Sequence, residues 1–333
     1  MERISFVAVV DLHLHTSHSD GSLTPSDLVN VCFEKGLQII AISDHDTTEG
    51  IREAQKVAEP LGIEIVPSVE LGTRLGESEI HVLGYFINPD DVVFQEMLEN
   101  YREARSVRAK NIILQLNATG VPLSWEKVSD LAGFGSIGRP HIAHALIELG
   151  YAKDIQEAFQ RYLGLGTQGY VPRDLNTPQQ AVRMIEENGG IAVIAGFQGI
   201  SMDNRITTLG RGGSDLSAVA IAKFFKTNSC EIYTDVEGVL TTDPSLHEKA
   251  KKIDKISYEE MLEMASLGAK VMQPISVQAS MIDDISVHVR SVFSEKFGTT
   301  IMSQSEIDYT KVVTGIAYSK NDSKVTLVGV ADK

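Results

Sequence analysis

With 333 residues, 43% hydrophobic and 23% charged side chains, the chain has the composition of a soluble globular protein of about two domains. Its formal charge of −15 is uneven, with 15 Lys+Arg against 27 Asp+Glu over residues 1–196 and 15 against 18 over residues 197–333. That acid excess excludes a broad nucleic-acid-binding surface, duplex DNA included, and suits sites that hold cations. Cys32 and Cys230 are far apart and lack metal-ligand spacing, so a disulfide framework is excluded and a reducing compartment is expected. No apolar run approaches the roughly 18 residues of a spanning helix. Met1–Val10 is too short and too acidic for a signal peptide. A cytoplasmic protein with no membrane partner is expected.

Val7–His15 is an apolar run ending in Asp-Leu-His-Leu-His and predicts a buried strand. Pro25–Lys35 reads as a helix, Leu37–Ser43 as a strand, Glu49–Leu61 as a helix, Ile63–Val69 as a strand and Glu79–Phe86 as another. This rhythm implies a parallel sheet or barrel with helices outside. Residues 91–188 read mostly as helices, broken at Gly133–Gly138, Gly164–Gly169 and Pro172–Pro178, as a helical insertion would be. Ile191–Ala195 returns to strand. A Gly-rich loop at Gly210–Gly213, a helix at Asp215–Phe225, a strand at Cys230–Thr234 and a helix at Ser257–Leu267 follow.

Side chains alternate across a strand, so Asp11, His13 and His15 share a face. Asp20 follows in the next loop, Asp44-His45-Asp46 succeeds a strand, Glu70 ends one, and His81 lies in the strand after it. These positions gather at strand ends, where α/β barrels build their sites. Imidazole and carboxylate suit Zn, Mn or Fe, and Glu70 is placed to bridge two ions, the arrangement that splits phosphate esters. His18, His144, His247 and His288 lack such placement and read as structural or solvent-facing.

The segments DLHLHTSHSDG, AISDHDTTEG, PSVELGT and HVLGYF resemble the PHP family of metal-dependent phosphoesterases. GRPHIAHALIELGYA, QRYLGLGTQGYVP and AVRMIEENGGIAVIA are similar to the branch that dephosphorylates nucleoside bisphosphates and trims short RNAs. The resemblance covers about residues 5–195. It implies a distorted seven-stranded barrel with up to three Mn-, Zn- or Fe-type ions. His13, His15, Asp20, His45, Glu70 and His81 match metal-ligand positions, and Arg139 and His141 match positions that meet substrate phosphate. Two family features depart: Ala195 is followed by Gly196-Phe197 where the family has Ala-His-Pro, and Ser217 ends Gly213-Ser214-Asp215-Leu216-Ser217 where a closing motif has histidine.

From about residue 193, IAGFQGI, ITTLGRGGSD, CEIYTDVEGVLTTDP and KISYEEMLEMASLGAKV resemble aspartokinase. Gly210-Arg211-Gly212-Gly213-Ser214 precedes a helix whose N–H groups can hold an anion, and Thr234-Asp235 follows a strand where a nucleotide can lodge. The resemblance sets Arg211, Ser214 and Asp215 near the aspartate and the transferring phosphate. It sets Gly212, Gly213, Thr234, Asp235, Asp243 and Lys270 on the ATP–Mg side. The family's Lys-Phe-Gly-Gly-Thr-Ser type segment does not occur in this sequence, and VVTGIAYSKNDSKVTLVGVADK resembles the start of an ACT regulatory domain.

The expected fold is α/β: an incomplete PHP-type (β/α)7 barrel with helical insertion (1–195), a partial amino-acid-kinase α/β/α sandwich (196–305) and a truncated ACT segment (306–333). The leading functional expectation is a PHP-type phosphoesterase acting on nucleotides or short RNA, fused to an aspartokinase fragment and impaired in activity. Two alternatives stand beside it: an aspartate kinase using ATP and aspartate, and a non-catalytic chimera. Oligomer formation is open.

Overall fold

The computed structural model describes residues 9–76, 78–133, 135, 137–172, 176–201, 206–307 and 313–318. Two compact units, Met1–Ala195 and Gly196–Lys333, divide the chain.

The first unit opens with β1 (Val10–Leu14), α1 (Pro25–Glu34), β2 (Ile39–Ile42), α2 (Glu49–Ala58), β3 (Glu64–Leu75) and β4 (Ser78–Tyr85). Pro25 stands at the first turn of α1, where its missing N–H costs nothing, and the Thr24 side chain caps the helix by accepting from Asp27 N at 3.1 Å. The expected helix 49–61 stops at Ala58 and tightens into a 3-10 turn over Glu59–Leu61, because Pro60 cannot donate to an α-helical bond. A helical block follows: α3 (Val92–Ala118), α4 (Trp125–Ala132), α5 (Arg139–Glu148), α6 (Ile155–Ala158) and α7 (Pro178–Glu187), after which β5 (Ile191–Ile194) rejoins the sheet.

Sheet order is β1-β2-β3-β4-β5. The parallel sheet expected from the sequence holds only for β1, β2 and β3, since β4 runs antiparallel to β3 and β5 antiparallel to β4. The reason is local: β3 extends to Leu75, well past the expected Val69, and the chain re-enters β4 at Ser78. No crossover helix fits in so short a link, so the two strands must form a hairpin. Tyr85 on β4 donates its hydroxyl to Leu12 O on β1 at 2.9 Å. In a flat sheet those strands would lie about 14 Å apart at ~4.8 Å per spacing, so the sheet is strongly curved. One core packs against it, with Ile40, Ile42, Ile51, Leu71, Phe94 and Leu98 buried. A second core, including Ile112, Ile142, Leu146 and Leu163, holds the helical block together.

The second unit begins with a short hairpin, β6 (Gln198–Ile200) and β7 (Ile206–Thr208). It continues with α8 (Gly213–Phe224), β8 (Ser229–Thr234), β9 (Lys255–Ser257), α9 (Tyr258–Ser266), α10 (Pro274–Asp283), β10 (Ser286–Ser291) and β11 (Thr299–Met302). Its sheet order is β8-β10-β11-β9. β10 lies parallel to β8 and antiparallel to β11, while β9 and β11 are parallel. Helix α8 starts at Gly213, earlier than the expected Asp215, because Gly212 takes a left-handed φ of 77° that turns the chain into the helix. Val287 and Val289 of β10 sit in this unit's core with Val219, Met261 and Val277. Of the expected regulatory segment 306–333, residues 308–312 and 319–333 lie outside the described residues. Among the described residues no helix is long and apolar enough to cross a membrane.

Candidate functional site

The curvature of the first sheet gathers side chains from β1 and the loop after it, from the segment after β2, and from β3 and β4. Glu70 on β3 is the hub. Its Oε2 lies 3.0 Å from His13 Nε2, 3.1 Å from His15 Nε2 and 3.5 Å from His45 Nδ1, and its Oε1 lies 2.5 Å from His81 Nδ1. Asp20 meets the same group from the loop after β1, 3.4 Å from His15 Nδ1 and 3.5 Å from His45 Nε2. Thus all six expected metal-ligand residues come together. They form three overlapping sets with ligand atoms within 4.8 Å of one another: His13–His15–Glu70, His15–Asp20–His45 and His45–Glu70–His81. Asp11 stays outside these sets and instead accepts from His13 N at 3.2 Å.

The donor chemistry fits a divalent ion. Burial pushes the Glu70 carboxyl up, but hydrogen bonds from His15 and His81 and the neighbouring His45 outweigh it and hold the group well below the usual carboxylate range. Asp20 is likewise held low, with burial opposed by the His45 and His15 imidazoles beside it. Burial lowers the His45 imidazole, which favours its neutral form with one ring nitrogen able to act as a ligand. His45 Nδ1 is buried with no aligned hydrogen-bond partner, its 3.5 Å approach to Glu70 being too long.

Supporting contacts fix these donors. Asp44, fully buried, accepts from Thr16 N at 2.7 Å, Thr16 Oγ1 at 2.6 Å and Ser19 Oγ at 2.6 Å. Ser19 Oγ in turn lies 3.3 Å from His15 Nδ1. Asp46 adopts φ 56°, accepts from Gly72 N at 3.2 Å and pairs with Arg105. Gly21 lets the loop close, since a Cβ there would sit 2.3 Å from His15 O.

Beside the histidines lies a cavity of about 230 Å³, lined among others by Asp20, His45, His81 and three arginines, Arg105, Arg108 and Arg139. The expected Arg139 is there, at the start of α5. The expected His141 is not among the lining residues: its Nδ1 accepts from Gly138 N at 3.0 Å and so caps α5. Arg105 and Arg108 escaped the sequence reading. Their signal was Arg102, Arg105 and Arg108 at three-residue spacing, a stripe along one side of α3.

In the second unit, Arg211 precedes α8, Gly212 is its N-cap, and Gly213, Ser214 and Asp215 form its first turn. Burial raises the Asp215 carboxyl. Only residues 225–228 separate α8 from β8, so the two run in opposite directions and the α8 N-terminus lies at the end of β8 that carries Thr234 and Asp235. A Cβ on Gly212 would strike the Gln273 side chain at 2.4 Å, so the glycine turn abuts the segment three residues beyond Lys270. Asp243 organises its own loop, accepting from Ser245 N at 2.8 Å and Ser245 Oγ at 2.6 Å. Arg211, Asp235 and Lys270 are exposed.

The amino acid kinase family matches residues 87–291. The chain is 48% identical over 159 residues to an aspartokinase of Helicobacter pylori, covering 46% of this chain and 39% of that protein. It is 43% identical over 176 residues to an aspartokinase of Thermus thermophilus, covering 52% and 43%. The chain thus spans about two-fifths of the length of these curated relatives. Among solved structures it is similar to one described as a putative metal-dependent phosphoesterase from Bifidobacterium adolescentis, with TM-score 0.57 and 22% identity over 90% of this chain and 94% of that one. An amidohydrolase from Chromobacterium violaceum, solved with bound sulfate, gives TM-score 0.56 and 23% identity over 88% and 91%. At such identities the likeness is one of fold.

Proposed function

The chain belongs to the amino acid kinase family, and on that premise we propose that its second unit serves the phosphorylation of L-aspartate by ATP, giving 4-phospho-L-aspartate. The carrying observation is the 48% identity to an aspartokinase over 159 residues. The comparisons support this reading better than the fused phosphoesterase expected first from the sequence. In it, the free N–H groups at the start of α8 and the Arg211 guanidinium hold phosphate oxygens. Ser214 and Asp215 face the aspartate side, while Thr234, Asp235, Asp243 and Lys270 line the ATP–Mg side. Calorimetric titration of ATP–Mg into the full chain is expected to show binding that tightens when aspartate is present. No heat at millimolar ATP, with or without aspartate, refutes the reading.

A second reading is favoured by the convergence of four imidazoles on Glu70 with Asp20 beside them: the first unit hydrolyses phosphate esters of nucleotides or short RNA. It goes with an incomplete PHP-type barrel over residues 1–195, a kinase portion over 196–305 and the start of an ACT segment over 306–333. His13, His15, Asp20, His45, Glu70 and His81 would hold Mn, Zn or Fe, which supplies Lewis acidity towards a phosphoryl oxygen. The chain's own part is to orient the imidazoles through Glu70 and Asp20 and to receive the ester's negative charge with the arginines of the cavity. The test is phosphate release from adenosine bisphosphate with added Mn, which His45→Ala must abolish. Equal rates in the two proteins would sink it.

A further inference from the structure

Two of the cavity's arginines already hold an anion, and it belongs to the chain. Glu79, on β4 two residues before His81, bridges them: its Oε1 lies 2.7 Å from Arg108 Nη2 and its Oε2 accepts from Arg139 Nη2 at 2.7 Å. Arg108 is only 9% exposed and is pinned from behind, its Nε donating to Val171 O at 2.8 Å. Arg139 stacks 5.5 Å from the Phe159 ring. Both guanidinia are therefore set in place by contacts other than Glu79. The bridge itself is imperfect. Glu79 Oε1 and Arg108 Nη2 are close but misaligned, so each is buried without a proper hydrogen bond. All three residues line the cavity beside His81 and Asp20. The third arginine, Arg105, is taken up by Asp46.

We propose that Glu79 is a resident competitor in the Arg108–Arg139 clamp, which a substrate must displace, and that it thereby restricts the clamp to dianionic groups such as a terminal phosphate monoester. This inference rests on the phosphate-ester reading of the first unit. A carboxylate offers two oxygens and one charge. A phosphate monoester offers three terminal oxygens and about −1.5 to −2 charge near neutral pH, so it can outbid the carboxylate for both guanidinia. A monoanion, such as an internal phosphodiester, gains nothing by the exchange. Selection here works by a charge built against the wrong ligand. The side chain then swings aside within the cavity, and no bond is made or broken.

The experiment titrates inorganic phosphate, and separately the monoanion methanesulfonate, into the full chain after chelator treatment, so that the arginines alone are read. Glu79→Gln keeps the shape and removes the charge. It is expected to bind phosphate about tenfold more tightly than the parent and to acquire measurable methanesulfonate binding, because the competing charge is gone. Glu79→Asp, too short to span both guanidinia, is expected to fall between. Phosphate binding that is unchanged or weaker in both variants overturns the proposal, since it makes Glu79 a brace for the arginines. Failure of both variants to fold overturns it equally. If the chain binds phosphate with this dependence on residue 79 yet neither takes up metal nor cleaves esters, the hydrolase reading fails and the competition stands.

Discussion

Glu70→Gln is the most demanding perturbation of the first unit, because it keeps the side chain's size and removes the charge on which four imidazoles converge. Glu70 belongs to two of the three candidate ligand sets, and only His15–Asp20–His45 is independent of it. The variant is therefore expected to lose metal from two sets and to keep at most the Asp20-centred one. Altering groups that merely support a ligand costs about 10–100-fold in metal affinity. Loss of a shared ligand should reach at least the upper end, or ~2.7 kcal/mol at 1.36 kcal/mol per decade. The assay is elemental analysis after equilibrium dialysis against Mn or Zn, with chelator competition for the affinity and the visible spectrum of the Co(II)-loaded protein for ligand geometry. A thermal melt of the metal-free variant guards against simple unfolding. Parental stoichiometry, with affinity within about threefold of the parent, would refute the assignment of Glu70 as the hub.

Three further outcomes are expected. Arg211→Ala should weaken ATP–Mg binding about tenfold, the loss of one charge-assisted phosphate contact, and calorimetry checks it. Burial pushes the Tyr258 phenol up to about 12. Because the folded-state value lies above the unfolded one, its contribution is complete below about pH 10 and is lost as pH rises towards 12. Denaturant melts from pH 9 to 11.5 should show Tyr258→Phe less alkali-sensitive than the parent. Leu146→Ala, in the core of the helical block, should cost about 2–5 kcal/mol in the same melts while leaving ATP–Mg affinity unchanged.

Most strands and helices of both units are legible because their signals are local. Asp-Leu-His-Leu-His alternates, and Pro25, Thr24 and the Ser257–Glu260 capping box mark helix starts. The six ligand-type residues are legible from their residue types on and after alternating segments, although Glu70 and His81 fall in the middle of β3 and β4 and not at a strand end. The direction of β4 is not, because it depends on how many residues bridge it to β3, and the uncertain strand boundary hides that count. Arg105, Arg108 and Glu79 escape because their meeting is set by the packing of α3 and α5 around β4, which no spacing in the sequence reports. Strand β10 goes unread although Ser-Val-His-Val-Arg-Ser alternates cleanly, with Val287 and Val289 inward. His288, expected to be structural or solvent-facing, contacts Glu231 on β8 at 3.2 Å.

The register of the β3–β4 hairpin pairs Glu70 with Leu83 and Gly72 with His81, which sets Glu70 and His81 diagonally on one face. A slip of a single residue would turn the His81 ring to the opposite side of the sheet and leave Glu70 without it. A newly made chain with the strands misaligned would still collapse, but it would present an incomplete ligand set. An ion held by the full ligand set would therefore favour the correctly registered hairpin over its off-by-one relatives.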